Sequence, residues 1–173
     1  VFFLVDDLGW SDVGCYGSRF YETPNIDKLA AEGVRFTDAY AACHVCSPTR
    51  ASILTGKYPA TLSLTDWLNG RGNTSFQVLL NPDKALSLDH EETTIAEVLK
   101  ASGYATALFG KWHLGQDTNP TEHGFDLHVP HSVNSNLGRR GFYDPQKIPG
   151  LDGGDYVTDR LAELAAQFID KNK

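Results

Sequence analysis

An eight-residue stretch, CHVCSPTR at residues 43–50, places two thiols, an imidazole and a guanidinium close together in the chain. These residue types are compatible with half of a zinc site, a disulfide, a redox pair, or a cysteine set in front of a helix. A structural zinc ion takes four Cys or His ligands, but the chain has only one further cysteine, Cys15, and no second cysteine pair. We interpret Cys43 and Cys15 as unreactive packing residues, since free cysteines are usually buried and inert.

The residues after Cys46 predict the start of a short helix. Ser47 is suited to cap it, Pro48 to occupy its first position, and Gly56 to end it. Unpaired backbone N–H groups and the positive end of the helix dipole attract anions at such a terminus. Arg50, in the first turn, is unfavourable for the dipole but well placed to bind an anion. This segment therefore predicts an anion site at Cys46.

Two adjacent carboxylates, Asp6 and Asp7, follow the apolar run VFFLV at residues 1–5. The run predicts a strand covered on both faces in a parallel sheet, and open α/β sheets bind ligands at the carboxyl ends of their strands. Neighbouring carboxylates repel each other unless a cation joins them, and their hard oxygens favour Ca²⁺ or Mg²⁺ over zinc. The alternative is a turn in which Asp7 caps the following Leu-Gly pair.

The segment GKWHLG at residues 110–115 carries a third group of polar side chains, directly after a predicted strand. If the segment is extended, alternation places the ammonium of Lys111 and the imidazole of His113 on the same side. The ammonium, which can bind an anion, and the imidazole, which can act as an acid or a base, then lie next to each other. The alternative is a solvated lysine and a capping histidine.

Predicted helices and strands separate these chemistry-bearing segments. Helices are indicated over residues 23–33, where a proline opens the pattern and a glycine closes it, and from a capping box at Thr94 to Gly103. Short strands are predicted over residues 34–37 and 104–109. Helix followed by strand is the repeating half of an α/β fold, so we predict an α/β protein with a parallel sheet.

The remaining stretches predict loops and one further helix. Residues 60–90 read as a loop, and residues 114–154 are dense in Gly, Pro, Asn and Asp, which predicts long surface loops suited to specificity. The last helix has one apolar face, formed by Leu161, Leu164, Ala165, Phe168 and Ile169. Because the chain has no methionine and starts in a strand-like run, we expect it to be an excerpt of a longer protein.

Composition narrows the class of function. The 173 residues, 41% of them hydrophobic, are enough to bury a core. With 22 acidic against 15 basic side chains the net charge is -7, which argues against a general nucleic-acid binder and requires a local cationic site for an anionic substrate. The longest clean apolar run has only the five residues 1–5, whereas a membrane span needs about 18.

Taken together, these segments resemble the sulfatase family of the alkaline-phosphatase superfamily. The family signature Cys-x-Pro-Ser/Thr-Arg is matched by CSPTR at residues 46–50, and further blocks follow the family's order: VDDLG at residues 5–9, TPNID at 23–27, GKWHLG at 110–115 and HGFD at 123–126. The resemblance implies a mostly parallel sheet with helices on both faces. It also implies that residues 1–173 are the N-terminal portion of a single sulfatase catalytic domain.

The resemblance implies a specific chemistry for Cys46. In sulfatases this cysteine is oxidised to formylglycine, whose hydrate supplies an oxygen nucleophile to the sulfur of a sulfate ester. Asp6 and Asp7, together with the modified Cys46, resemble the family's Ca²⁺ ligands, and Mg²⁺ is also compatible with them. By the same resemblance Arg50 steadies the hydrate, while Lys111 binds the sulfate. His113 is implied to hydrogen-bond the hydrate and to assist proton transfer.

Sulfatases carry further active-site residues later in their chains: an Asp-Asn pair of metal ligands, a histidine and a lysine. We therefore expect residues 1–173 alone to be inactive. We expect the parent to be a sulfuric ester hydrolase acting on sulfated carbohydrates or aryl sulfates, matured by a formylglycine-generating enzyme. The resemblance implies a periplasmic, secreted or lysosomal setting. The net charge and the short apolar runs, in turn, predict no nucleic-acid partner and no membrane span. A phosphonate monoesterase or phosphodiesterase of the same superfamily, and a non-catalytic binder of sulfated glycans that keeps Cys46 as a thiol, are the alternatives.

Overall fold

The computed structural model of the chain describes residues 1–70, 72–115, 117–129, 148–150 and 155–173. The chain divides into two compact units, Val1–Ala41 and Ala42–Lys173, which we call the N-terminal and C-terminal units. Within the described ranges, no helix combines the length and apolar character needed to cross a bilayer.

The N-terminal unit is built on a 3-10 helix at Gly14–Tyr16 and on helix α1 at Pro24–Glu32. As predicted, a proline takes the first position of α1. The hydroxyl of Thr23 does not cap this helix: it accepts the N–H of the first residue of the 3-10 helix at 2.8 Å and donates to Asp27 at 3.1 Å. Asp27 also accepts the N–H of the next residue of the 3-10 helix at 2.7 Å. Polar contacts therefore hold the two helices together.

Two strands that the sequence predicts in this unit are absent. Residues 1–5 and 34–37 contain no strand, and Phe3, for example, is 81% exposed. A strand is stable only when a neighbour pairs with its backbone N–H and C=O groups, and no described residue forms a ladder with either segment. The apolar residues Ile26 and Leu29 of α1 are also exposed.

The C-terminal unit contains, in its described residues, three α-helices and a small sheet. The helices are α2 (Cys46–Thr55), α3 (Ile95–Ala101) and α4 (Val157–Asn172), and the strands are β1 (Ala107–Phe109) and β2 (Leu127–Val129). The two strands pair in parallel, with Ala107 opposite Leu127. A parallel sheet among helices confirms the predicted α/β class. Of the predicted strand at residues 104–109, only the last three residues pair.

The ends of two helices form as the sequence predicts. Helix α2 ends before Gly56, which adopts the left-handed conformation with a φ of 71°. Helix α3 starts with the predicted capping box: the Thr94 hydroxyl accepts the N–H of Glu97 at 3.2 Å, and the Glu97 carboxylate accepts the N–H of Thr94 at 2.7 Å. The same hydroxyl donates to the carbonyl of His123 at 2.7 Å, which ties α3 to a 3-10 helix at Pro120–His123.

The prediction of loops over residues 114–154 is wrong in part. This stretch contains the 3-10 helix at Pro120–His123 and strand β2, whose last two residues are buried. Both elements are too short to produce a periodic pattern of apolar residues, so the sequence does not reveal them. Part of this stretch lies outside the described ranges, namely residues 116, 130–147 and 151–154. Over residues 60–90, the described residues contain no helix or strand, as predicted.

Two apolar clusters form the core of the C-terminal unit. The larger packs α2 and α3 against the segment that follows β1, and its buried members are Ala51, Leu62, Leu64, Leu68, Leu88, Ala96, Trp112, Leu114 and Phe125. The smaller packs α4 against the sheet, through Val129, Ile148, Val157, Leu161 and Leu164. The rings of Phe109 and Phe168 meet edge to face at 6.0 Å. These contacts confirm the amphipathic helix that the sequence predicts at the end of the chain.

Candidate active site

Helix α2 starts two residues earlier than predicted. Cys46 is its first residue and Val45 its N-cap residue, so Cys46 lies inside the first turn rather than ahead of it. The prediction that Ser47 caps the helix is wrong. Ser47 is fully buried, and its hydroxyl instead accepts the backbone N–H of Leu68 at 3.0 Å. Pro48 occupies the third position, where its missing N–H still removes none of the intrahelical bonds.

The cysteines of residues 43–50 are unpaired. Cys15, Cys43 and Cys46 are all half-buried free thiols. The Cys43 sulfur lies 3.9 Å from Nδ1 of His44, and the Cys43 carbonyl accepts the hydroxyl of Thr49 at 2.6 Å, which folds the segment onto the start of α2. No group of three or more His, Cys, Asp or Glu residues in the described part of the chain is placed to hold a metal. The zinc and disulfide interpretations therefore find no support among these residues.

Arg50 connects α2 to the segment after β1. Its side chain is 8% exposed, and its Nη1 donates to the backbone carbonyl of Lys111 at 2.7 Å. A guanidinium has five N–H donors, so a bond to one carbonyl is compatible with contact to an anion. The structure thus joins two of the three segments that the sequence singles out. The anion-binding roles of Arg50 and Lys111 remain predictions.

The segment with Lys111 and His113 is anchored by the residues between and after them. Trp112 is 1% exposed and donates its indole N–H to the hydroxyl of Thr118 at 3.3 Å, while the carbonyl of the fully buried Leu114 accepts a backbone N–H at 2.8 Å. Lys111 and His113 are half-buried, so burial alternates along the segment. The condition of an extended backbone is not met at His113, whose φ is 61°.

His113 is tied to the start of α2 through a residue that the sequence does not single out. Its Nε2 lies 2.5 Å from the backbone carbonyl of Leu68. The N–H of Leu68 in turn donates to Ser47, the neighbour of Cys46. Leu68 takes part in both hydrogen bonds through its backbone N–H and C=O groups. Because every residue except proline has both of these groups, such contacts do not require a particular residue type. No signal in the sequence therefore identifies Leu68.

The HGFD block at residues 123–126 has a structural role in the described part of the chain. His123 is fully buried, its ring stacks on that of His90 at 5.0 Å, and neither of its nitrogens has a hydrogen-bond partner among the described residues. Burial, reinforced by the charge of His90, lowers the pKa of His123 below 6.5. Gly124 has a φ of 91° and packs so closely on the backbone of Glu97 that a Cβ atom would collide with it.

The last residue of this block, Asp126, faces the loop before β1. Its carboxylate forms an ion pair with Lys100 at 2.7 Å and accepts the N–H of Thr106 at 3.0 Å. The hydrogen bond to Lys100, followed by that to Thr106, lowers the pKa of Asp126 below 3.8. The block therefore fastens β1 and α3 to each other.

Asp6 and Asp7 belong to the N-terminal unit, whereas the other four predicted site residues belong to the C-terminal unit. Both are exposed and lie in a turn, and Asp7 has a φ of 57°. Calcium takes about six to eight oxygen ligands, so two carboxylates supply too few. The described residues therefore do not fit a complete calcium site.

Comparison with known proteins identifies the family. The family model described as Sulfatase matches residues 1–173. The chain is 41% identical to human arylsulfatase A over 96% of its own length and 32% of that protein. It is 40% identical to human steryl-sulfatase over 71% of its own length and 21% of that protein. The chain thus spans about a fifth to a third of the length of these relatives.

Solved structures agree with this assignment. The structure of BT4656 in complex with its substrate D-glucosamine-2-N,6-O-disulfate superposes with a TM-score of 0.73 at 30% identity, over 97% of this chain and 30% of that one. The crystal structure of Ps i-CgsB gives a TM-score of 0.68 at 31% identity, over 96% of this chain and 40% of that one. Both the fold and the sequence therefore place the chain in the sulfatase family, with its alkaline-phosphatase-like α/β fold.

Proposed function

We propose that the protein containing this chain hydrolyses sulfate esters. The observation that carries the proposal is the arrangement at the start of α2: the CSPTR segment at residues 46–50 opens this helix, and Arg50 bonds to the backbone at Lys111. Family membership across residues 1–173 supports the same activity. It also supports the view that these residues are the N-terminal portion of one sulfatase catalytic domain.

In this proposal Cys46 is converted to formylglycine by a formylglycine-generating enzyme. The hydrate of that aldehyde supplies an oxygen nucleophile to sulfur and, after the alcohol has left, expels sulfate and returns to the aldehyde. Cys46 is suited to this role because it lies in the first turn of α2, where backbone N–H groups and the helix dipole favour an anion.

The cationic side chains of the site act on the sulfate. Arg50 is nearly buried, so its charge is poorly screened and interacts strongly with an anion at the helix terminus. Lys111, half-buried and held by the anchored segment around it, offsets the negative charge that builds up as the ester bond breaks. His113 hydrogen-bonds the hydrate and transfers a proton.

We further propose, on family grounds, that Asp6 and Asp7 are ligands of a Ca²⁺ ion, Mg²⁺ being the alternative ion. Hard carboxylate oxygens at adjacent positions suit either cation. The remaining ligands would have to come from outside the described residues, and none of the steps above is assigned to the metal.

The substrate class we favour is a sulfated carbohydrate or an aryl sulfate. One relative is named arylsulfatase A, and one structural neighbour holds a disulfated glucosamine as its substrate. A periplasmic, secreted or lysosomal setting is proposed on family grounds alone. Two alternatives remain. One is hydrolysis of phosphonates or phosphodiesters by a protein of the same superfamily, and the other is glycan binding without catalysis. The following experiment separates both from sulfate-ester hydrolysis.

The proposal is tested by comparing the whole protein's hydrolysis of 4-nitrophenyl sulfate with that of the matching phosphate esters. We expect the sulfate ester to have the higher kcat/KM, and Cys46→Ala to abolish its hydrolysis because no nucleophile can form. Cys43→Ala, which removes the neighbouring half-buried thiol, is the matched control and should retain activity. Preference for a phosphate ester, or unchanged activity of Cys46→Ala, would overturn the proposal.

A further inference from the structure

Two hydrogen bonds on the backbone of one residue connect Ser47 with His113. The hydroxyl of Ser47 accepts the N–H of Leu68 at 3.0 Å, and the carbonyl of Leu68 lies 2.5 Å from Nε2 of His113. Ser47 is fully buried and Leu68 is 5% exposed, so water competes little for either bond. The three residues lie far apart in the chain but belong to the same compact unit.

The contact with the Leu68 carbonyl indicates which nitrogen of His113 carries the proton. A backbone carbonyl can only accept a hydrogen bond, so Nε2 must be the donor. In the neutral imidazole the other nitrogen, Nδ1, then holds the lone pair and is the one that can accept a proton. The bond to Leu68 therefore selects one tautomer of the ring.

Helix capping does not account for the hydroxyl of Ser47. It does not cap α2, since the N-cap residue is Val45 and no side-chain cap forms. It also occupies the variable position of the Cys-x-Pro-Thr-Arg segment, between the residue proposed to react and the proline. Its hydroxyl is directed to the main chain that holds His113.

We propose that Ser47 is a positioning residue: through the Leu68 backbone it holds the His113 imidazole in the Nε2–H tautomer, so that Nδ1 is the nitrogen that accepts a proton during sulfate-ester hydrolysis. The catalytic half of this statement rests on the proposed function. The tautomer half rests on the two hydrogen bonds alone and is measured without any substrate.

The test compares three variants of the whole protein. Ser47→Ala removes the acceptor and releases the Leu68 backbone, whereas Ser47→Thr retains the hydroxyl. The matched control is Ser52→Ala, which removes a hydroxyl from the same helix; that oxygen is buried and has no hydrogen-bond partner among the described residues. If Ser47→Ala does not fold, Ser47→Cys takes its place, because its sulfur is a much weaker acceptor of similar shape.

The first readout is the tautomer of His113, measured by ¹⁵N NMR on protein with labelled histidine at about pH 8, where an ordinary imidazole is neutral. We expect the Nε2–H form in the wild type, in Ser47→Thr and in Ser52→Ala, and a mixture of tautomers in Ser47→Ala or Ser47→Cys. An unchanged tautomer in the variant that lacks the hydroxyl would overturn the proposal.

The second readout is kcat for a sulfate ester, divided by the fraction of residue 46 present as formylglycine, because Ser47 adjoins the modified position. We expect kcat to fall about tenfold in Ser47→Ala with KM within about twofold, since orientation of a group and not substrate binding is lost. Equal loss in Ser52→Ala would contradict the assignment. Absence of sulfatase activity in the wild type would refute the proposed function, while the NMR result would still decide whether Ser47 fixes the tautomer.

Discussion

The guanidinium of Arg50 joins two distant parts of the chain, since it donates to the carbonyl of Lys111, which lies 61 positions later. Its charge and its near-complete burial suit an anion site. Its planar guanidinium has several N–H donors, so one can donate to the Lys111 carbonyl while others face an anion. A lysine keeps the charge but has a single nitrogen, which cannot serve the carbonyl and an anion in the same geometry.

We therefore predict that Arg50→Lys lowers kcat/KM for a sulfate ester about 100-fold and the free energy of unfolding by about 1 kcal/mol, the usual net value of one hydrogen bond. Steady-state kinetics and urea unfolding of the whole protein measure the two effects. The control is Arg19→Lys at an exposed arginine, which should change neither. Full activity of Arg50→Lys would argue against the assigned role.

Residue types carry most of the information about this site. Cys46, Arg50, Lys111 and His113 stand out in the sequence because they match the CSPTR and GKWHLG blocks that resemble the sulfatase family. The structure adds what residue types cannot show: that Arg50 meets the backbone at Lys111 and that Leu68 joins Ser47 to His113. The predicted start of α2 is wrong by two residues because Ser47 is a residue type that favours the N-cap position, but its hydroxyl accepts the N–H of Leu68 instead.

Helix α3 depends on the capping box at Thr94, whose hydroxyl serves both Glu97 and the carbonyl of His123. Since Thr94 is 1% exposed, removing its hydroxyl leaves buried groups without partners. We predict that Thr94→Ala lowers the free energy of unfolding by about 2 kcal/mol, near the upper end for a lost cap. Urea unfolding measures this loss, with the exposed Thr65→Ala as control. A change below that of the control would contradict the assigned contacts.

The stack of His123 on His90 predicts a pH dependence of stability. Burial and His90 lower the pKa of His123, while Glu97, Glu122 and Asp89 act to raise it. Because the folded pKa lies below the unfolded value, the unfolded state binds a proton first as the pH falls, and stability is lost below about 6.5. We expect the unfolding free energy to fall between about pH 7 and 5, and His123→Phe to reduce that slope. An equal slope in both proteins would refute the prediction.

The helices are predicted more successfully than the strands, for a physical reason. Caps and periodic apolar faces are local, so α1, α3 and α4 are visible in the sequence. A strand depends on a neighbour elsewhere in the chain: β1 and β2 pair over only three residues each, whereas the apolar residues 1–5 find no ladder in the described structure. The strongest strand pattern is therefore one that the described residues do not form.

At the scale of the molecule, the chain has a net charge of -7, so the anionic substrate that we propose requires local cations. In the proposed function Arg50 and Lys111, both in the C-terminal unit, supply these cations, and the family match extends across both units. The identity of residue 46 decides whether this arrangement performs covalent hydrolysis or only binds sulfated ligands.

Mass spectrometry of the peptide that contains residue 46, taken from the active whole protein, tests this point most directly. We predict that the peptide has the mass of formylglycine and is captured by a hydrazine reagent, while the peptide containing Cys15 keeps a thiol. A thiol at residue 46 in protein that hydrolyses sulfate esters would contradict the account.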